Sequence, residues 1–178
     1  MNRNLALSEM QPVLRDKAIA WENEMERAGL KFVYTSVARL YRVQVALYAQ
    51  GREKLGSVNG YRGLAKMTPI TDAENKIVTW TLTSHHVVRD DDTIKWNDLS
   101  RAFDFVLLDG NKKAHYNLKV DVNYDKVQDY LEAAKLLVKV GLRSGAFFLD
   151  GKGAPRPDYP HAELTKNDLN DLAILGAA

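Results

Sequence analysis

A chain of 178 residues that is 46% hydrophobic and 27% charged can bury a substantial core and reads as one globular domain, residues 1–178, which excludes a disordered or low-complexity protein. Its net charge of +2 gives only mild attraction to anionic polymers, and no nucleic-acid motif accompanies it. The absence of cysteine excludes disulfides and thiolate ligands, so any metal must be held by histidine and carboxylate.

Leu14, Ala18, Trp21, Met25 and Ala28 recur at helical spacing; Ser8 with Gln11 has the form of a capping box and Gly29 supplies the stop. A strand from Leu30 to Tyr34 follows, then a helix from Tyr41 to Gln50 closed by Gly51. Gly51 to Thr71 reads as a long loop, and its Lys and Arg residues up to Lys66 offer a surface for an anionic polymer. Ile77 to Leu82 reads as a strand with Val78, Trp80 and Leu82 on one face, a parity that carries Ser84 and His86 to the same side. Phe103 to Leu108 is a second strand, in which Phe103, Phe105 and Leu107 oppose Asp104. Val127, Tyr130, Leu131, Ala134, Leu137 and Val138 form the apolar stripe of a helix from Tyr124 to Val140, stopped by Gly141. Short strands at Gly145 to Leu149 and His161 to Leu164 complete an α+β fold, a small antiparallel sheet with flanking helices.

No apolar run approaches the length of a membrane span, and Met1 to Ser8 contains no export-type hydrophobic region, so the protein is expected to be made and retained in the cytoplasm without inserting into a membrane.

The segment Asp158-Tyr159-Pro160-His161 carries the most chemistry. A hydrolytic zinc takes three ligands from His, Asp or Glu and keeps a position for water, while a further carboxylate must stand near enough to accept a proton. Pro160 stiffens the link between Asp158 and His161, as such a pairing requires. His115 fits no ligand spacing and reads as exposed. Asp90-Asp91-Asp92 does not match the spacing of a calcium loop and reads as a solvated insertion that could act as a flap.

Ser84-x-His86, Ala102-x-Asp104 and Asp158-x-x-His161-x-Glu163, in that order, resemble the signature of the zinc D-Ala-D-Ala carboxypeptidase and L-alanyl-D-glutamate peptidase family, which includes many phage endolysins and shares its fold with the Hedgehog signalling domain. Tyr34 to Arg39, Gln44, Leu47-Tyr48 and Gly51-Arg52 are similar to the same family's strand, arginine turn and helix, so the resemblance spans Phe32 to Leu164. It implies zinc as cofactor, His86, Asp104 and His161 as its ligands, and Asp158 as general base. Arg39 would bind a substrate carboxylate or steady the oxyanion, and Ser84 would orient substrate or the first ligand itself. Glu163 reads as a carboxylate supporting a ligand, and His85 is the alternative to His86.

The chain departs from the family pattern after His86, where Val87 to Leu99 intervene and Ser100 stands in place of glycine; closure entropy grows slowly enough with loop length for a site to survive this. The activity implied is zinc-dependent hydrolysis of a peptidoglycan stem-peptide bond, L-alanyl-D-glutamate in first place and D-Ala-D-Ala as the alternative. The implied setting is a monomeric endolysin acting in bacteriophage host-cell lysis, released from the host cytoplasm through a holin. A non-catalytic zinc-binding or virion protein of the same fold is the competing reading.

Overall fold

The computed structural model describes residues 1–88 and 99–176. Its organisation follows from the two-residue period of β4 (Ala102–Leu108), because side chains alternate across a strand and the two faces can meet different environments. Phe103, Phe105 and Leu107 enter the core, and Asp104 is turned to the opposite face.

Around β4 lies a five-stranded antiparallel sheet in the order β1 (Lys31–Ser36), β4, β7 (His161–Glu163), β6 (Arg143–Ser144), with β5 (Ala114–His115) also paired to β4. Helices α1 (Arg3–Ser8), α2 (Pro12–Arg27) and α5 (Asp129–Lys139) contribute to the core against the sheet's apolar face. Trp21 of α2 is its centre, with ring centroids 4.5 Å from Phe32, 4.8 Å from Phe105 and 5.5 Å from Phe103, and its indole N–H donates to the Ala133 carbonyl. The α+β class with a small antiparallel sheet and flanking helices is as expected.

A second, two-stranded unit pairs β2 (Arg39–Leu40) in parallel with β3 (Val87–Val88), and Arg39 N donates to the His86 carbonyl at 2.8 Å. It sits beside α3 (Tyr41–Ala49), against which α4 (Leu55–Leu64) packs. Where the chain returns at Ser100, its N–H donates to Glu9, its carbonyl accepts from Gln11, and its hydroxyl donates to Val37 and Ala102 carbonyls. A last helix, α6 (Lys166–Gly176), was not foreseen; Asp168 caps its start by accepting from Thr165 N and Oγ1, and pairs with Lys17. No helix among the described residues is long and apolar enough to cross a membrane.

Several expected elements differ. Ser8 and Gln11 make no capping box: Ser8 ends α1 with its hydroxyl bonded to Leu5 O, and Pro12 opens α2 at a position where a missing N–H costs nothing. The expected loop at 51–71 contains α4, held by buried Val58 and Arg62 in spite of Gly56, Gly60 and Gly63; Arg62 donates to Thr68 O and Gln50 Oε1, so it is no part of a basic surface. Residues 77–82 are not a strand. They have no ladder partner among the described residues, and Val78 and Trp80 are 56% and 60% exposed. The helix expected from Tyr124 starts at Asp129, leaving Val127 in a loop, and Val138 is exposed. The expected strand at 145–149 is a 3₁₀ turn, Gly145–Phe147, next to β6. His115 is half-buried, its Nε2 3.0 Å from Asp109 Oδ2. Asp90 to Asp92, and most of the stretch between His86 and Asp104, lie outside the described residues.

Candidate functional site

The site is assembled by strand register. Asp104 and His161 are directly paired across β4 and β7, so their side chains rise on one face, and the Ser36 position on β1 pairs Asp104 from the other side. Two residues along β7, Glu163 occupies that face again, beside Arg143 of β6. His86 arrives from the two-stranded unit, at the N-terminal end of β3.

The three donor atoms converge. His86 Nε2 is 3.3 Å from Asp104 Oδ1, His161 Nδ1 is 3.0 Å from the same oxygen, and the two ring nitrogens are 3.2 Å apart. Tetrahedral zinc with bonds of about 2.0–2.1 Å sets its ligands about 3.3–3.4 Å apart, so this donor set fits zinc with one face left open. The far nitrogens orient the rings. His86 Nδ1 donates to the Val37 carbonyl at 2.7 Å, and His161 Nε2 lies 3.1 Å from Glu163 Oε2, so each ring turns its other nitrogen inward, where a metal ion would displace any proton it carries.

Electrostatics favour a cation here. Burial opposes charge on His161, but hydrogen bonds to Asp104 and Glu163 outweigh it and push its pKa up to about 9. Burial likewise works against Asp104, yet its hydrogen bonds to His161 and His86 hold it well below the usual carboxylate range. Glu163 is brought to about 2 in the same way, with burial opposed by His161 and His85.

His85 is not in the cluster. Its Nδ1 lies 2.9 Å from Glu163 Oε2, so it supports the carboxylate that supports His161. Arg143 Nη1, at 2.5 Å from Glu163 Oε1, holds the other oxygen. Both supports depend on a register that sequence order does not display.

A cleft of about 490 Å³ opens over the cluster, and Arg39, Ser84 and Asp158 all line it. Arg39 is largely buried; Gln44 Oε1 at 2.8 Å and Ser36 Oγ at 3.1 Å accept from it, and Nη2 stands 3.6 Å from Asp104 Oδ2. Burial lowers its pKa against the opposing fields of Asp104 and Asp158. The Ser84 hydroxyl accepts from His86 N at 3.3 Å. Asp158 is exposed at the rim. Partial desolvation by the cleft walls raises its pKa, with Asp104 adding to the rise and His161, His86 and Arg39 opposing it.

Gly145 holds the Asp158–His161 turn in place: its carbonyl accepts from Asp158 N at 2.8 Å, and a Cβ there would sit 2.2 Å from Asp158 O. The opposite wall comes from the segment misread as a strand. Thr79 and Thr81 accept from Gln44, and Trp80 projects outward with Arg156 stacked 3.8 Å over its ring. Phe148 lies between Arg143 and His161. The exposure of this apolar run beside His85 and His86, with no strand partner among the described residues, marks it as a cleft wall.

No protein-family profile matches the chain. Over 160 residues, covering 90% of this chain and 76% of the other, it is 23% identical to the peptidoglycan L-alanyl-D-glutamate endopeptidase CwlK of Bacillus subtilis (strain 168). The chain is thus distantly similar to a peptidoglycan peptidase.

Proposed function

We propose that this chain is a zinc-dependent peptidase of bacterial peptidoglycan that cuts the L-alanyl-D-glutamate bond of the stem peptide. The observation that carries the reading is the His86–Asp104–His161 cluster, its rings oriented from behind and its open face turned to a cleft holding a spare carboxylate and an arginine. The distant likeness supplies the substrate class.

Zinc bound by these three residues supplies Lewis acidity toward a carbonyl and a water of pKa about 7. Asp158, whose raised proton affinity suits a base, accepts a proton from the attacking water and delivers it to the leaving amine. Arg39, fixed by Ser36 and Gln44, steadies negative charge on the substrate. Ser84 holds the His86 backbone and offers its hydroxyl to substrate, and Trp80 and Phe148 form walls for a short peptide.

The protein would be incubated with isolated peptidoglycan and the new termini identified by mass spectrometry, with Asp158→Ala and a chelator as controls. New N-terminal D-glutamate is expected, abolished in both controls. Release of free D-alanine would assign the carboxypeptidase reaction instead, and undiminished cleavage in both controls would overturn the metallopeptidase reading. The same reading makes the chain a single catalytic domain, monomeric, that serves phage lysis after a holin opens the membrane. The endolysin resemblance supports this, and culture lysis on expression with but not without a holin tests it.

A further inference from the structure

Away from the cleft, the loop entering α5 carries a second set of hard oxygen donors. The run Asp121-Val122-Asn123-Tyr124-Asp125-Lys126-Val127-Gln128-Asp129-Tyr130-Leu131-Glu132 places side-chain oxygens at its first, third, fifth, ninth and twelfth positions and a backbone carbonyl at its seventh. That is the donor spacing of a twelve-residue calcium loop followed by a helix. The fold gathers them: carboxylate oxygens of Asp121, Asp125 and Asp129 lie within 4.8 Å of one another.

Spacing and clustering alone would describe many acidic turns. Asp129 supplies the independent observation. It is 0% exposed, its Oδ2 accepts from Val122 N at 2.6 Å, and its Oδ1 has no hydrogen-bond partner among the described residues. Buried carboxylate oxygens are ordinarily satisfied by a donor or a cation, and the Asp129 carboxylate clusters with two others. Burial, together with Asp121 and Asp125, raises the Asp129 pKa, as expected where like charges converge.

We propose that residues 121–132 bind one calcium ion through Asp121, Asn123, Asp125, the Val127 carbonyl, Asp129 and Glu132. Glu132 is already at hand, 3.3 Å from Asn123 Nδ2, which also donates to Ala28 O at the end of α2. The ion therefore ties the start of α5 to the end of α2 and acts on stability, independently of the zinc reading. The loop departs from the usual pattern at its sixth position, where Lys126 replaces glycine and adopts φ +70°. That left-handed conformation is one that glycine reaches without strain.

The test uses the full chain loaded with zinc and titrated with calcium chloride, followed by calorimetry and by tyrosine-sensitised luminescence of terbium as a calcium substitute. One saturable event is expected, with Kd between about 10⁻⁵ and 10⁻³ M, zinc content unchanged, and a melting temperature raised by several degrees at saturation. Asp125→Asn, at an exposed position, should weaken binding by about tenfold or more, and Lys126→Gly should tighten it. Absence of saturation by both methods up to about 10 mM calcium, or unchanged affinity in Asp125→Asn and Asp121→Asn, overturns the proposal.

Discussion

Gly145→Ala tests whether the candidate site depends on one close backbone approach. The added Cβ would lie 2.2 Å from Asp158 O and 2.9 Å from His161 Cβ, where ordinary contacts begin at 3.4 Å. The backbone must therefore give by about 1 Å, and overpacking of that kind costs about 1–3 kcal/mol. Displacement also threatens the bonds from Asp158 N to Gly145 O, 2.8 Å, and from His161 N to Asp158 O, 3.1 Å. Each contributes about 1 kcal/mol net, so a total of about 3–5 kcal/mol and a drop of about 6–20 °C in Tm are expected. Because the turn carries both His161 and Asp158, peptidoglycan cleavage should fall about 100-fold or more, beyond what partial unfolding at assay temperature explains. Thermal melts in zinc-saturated buffer and turbidity clearance of purified walls read the two effects. A variant melting within about 1 °C of the parent and retaining activity within about threefold would refute the geometric argument.

Glu163→Gln should weaken zinc affinity by about 10–100-fold in a chelator competition, whereas His85→Ala, which reaches the ligand only through Glu163, should have a smaller effect; the reverse order would contradict the assigned supports. Asp168 has a lowered pKa, since hydrogen bonds from Lys17 and Thr165 outweigh its burial, so its stabilising contribution is complete above the unfolded value of about 4 and is lost as pH falls through the folded one. Asp168→Asn should accordingly cost more stability at about pH 7 than at about pH 2.5 in urea titrations, and an equal cost at both would count against this. Trp21→Ala, at the fully buried aromatic centre, should lose about 3–5 kcal/mol by the same method; a loss under about 1 kcal/mol would mean that the core is organised differently.

Sequence pattern revealed elements whose periodicity and burial agree. The 3.6-residue recurrence of Leu14, Ala18, Trp21 and Met25 marks α2, and the alternation Phe103, Phe105, Leu107 marks β4 and points Asp104 the other way. It misled where composition and packing part company. Three glycines masked α4, whose fixed points are a buried Val58 and an arginine bonded to backbone and Gln50. Residues 77–82 have strand-like composition, but no neighbouring strand meets them and their backbone bonds instead to Gln44 and Arg52. At the site, the order His86, Asp104, Asp158, His161 was visible, whereas which of His85 and His86 joins the cluster needed the orientation of β3. The roles of Arg143 and Gly145 depend on contacts between segments that no local spacing encodes.

The anchoring of the chain on both sides of residues 89–98 has a practical consequence. Val88 is held in a ladder against Leu40, and Ser100 is fastened to Glu9, Gln11, Val37 and Ala102, so each flank has contacts of its own. The moorings of the His86 segment and of β4 are therefore largely separate, and a substitution that loosens one flank should leave the other in place.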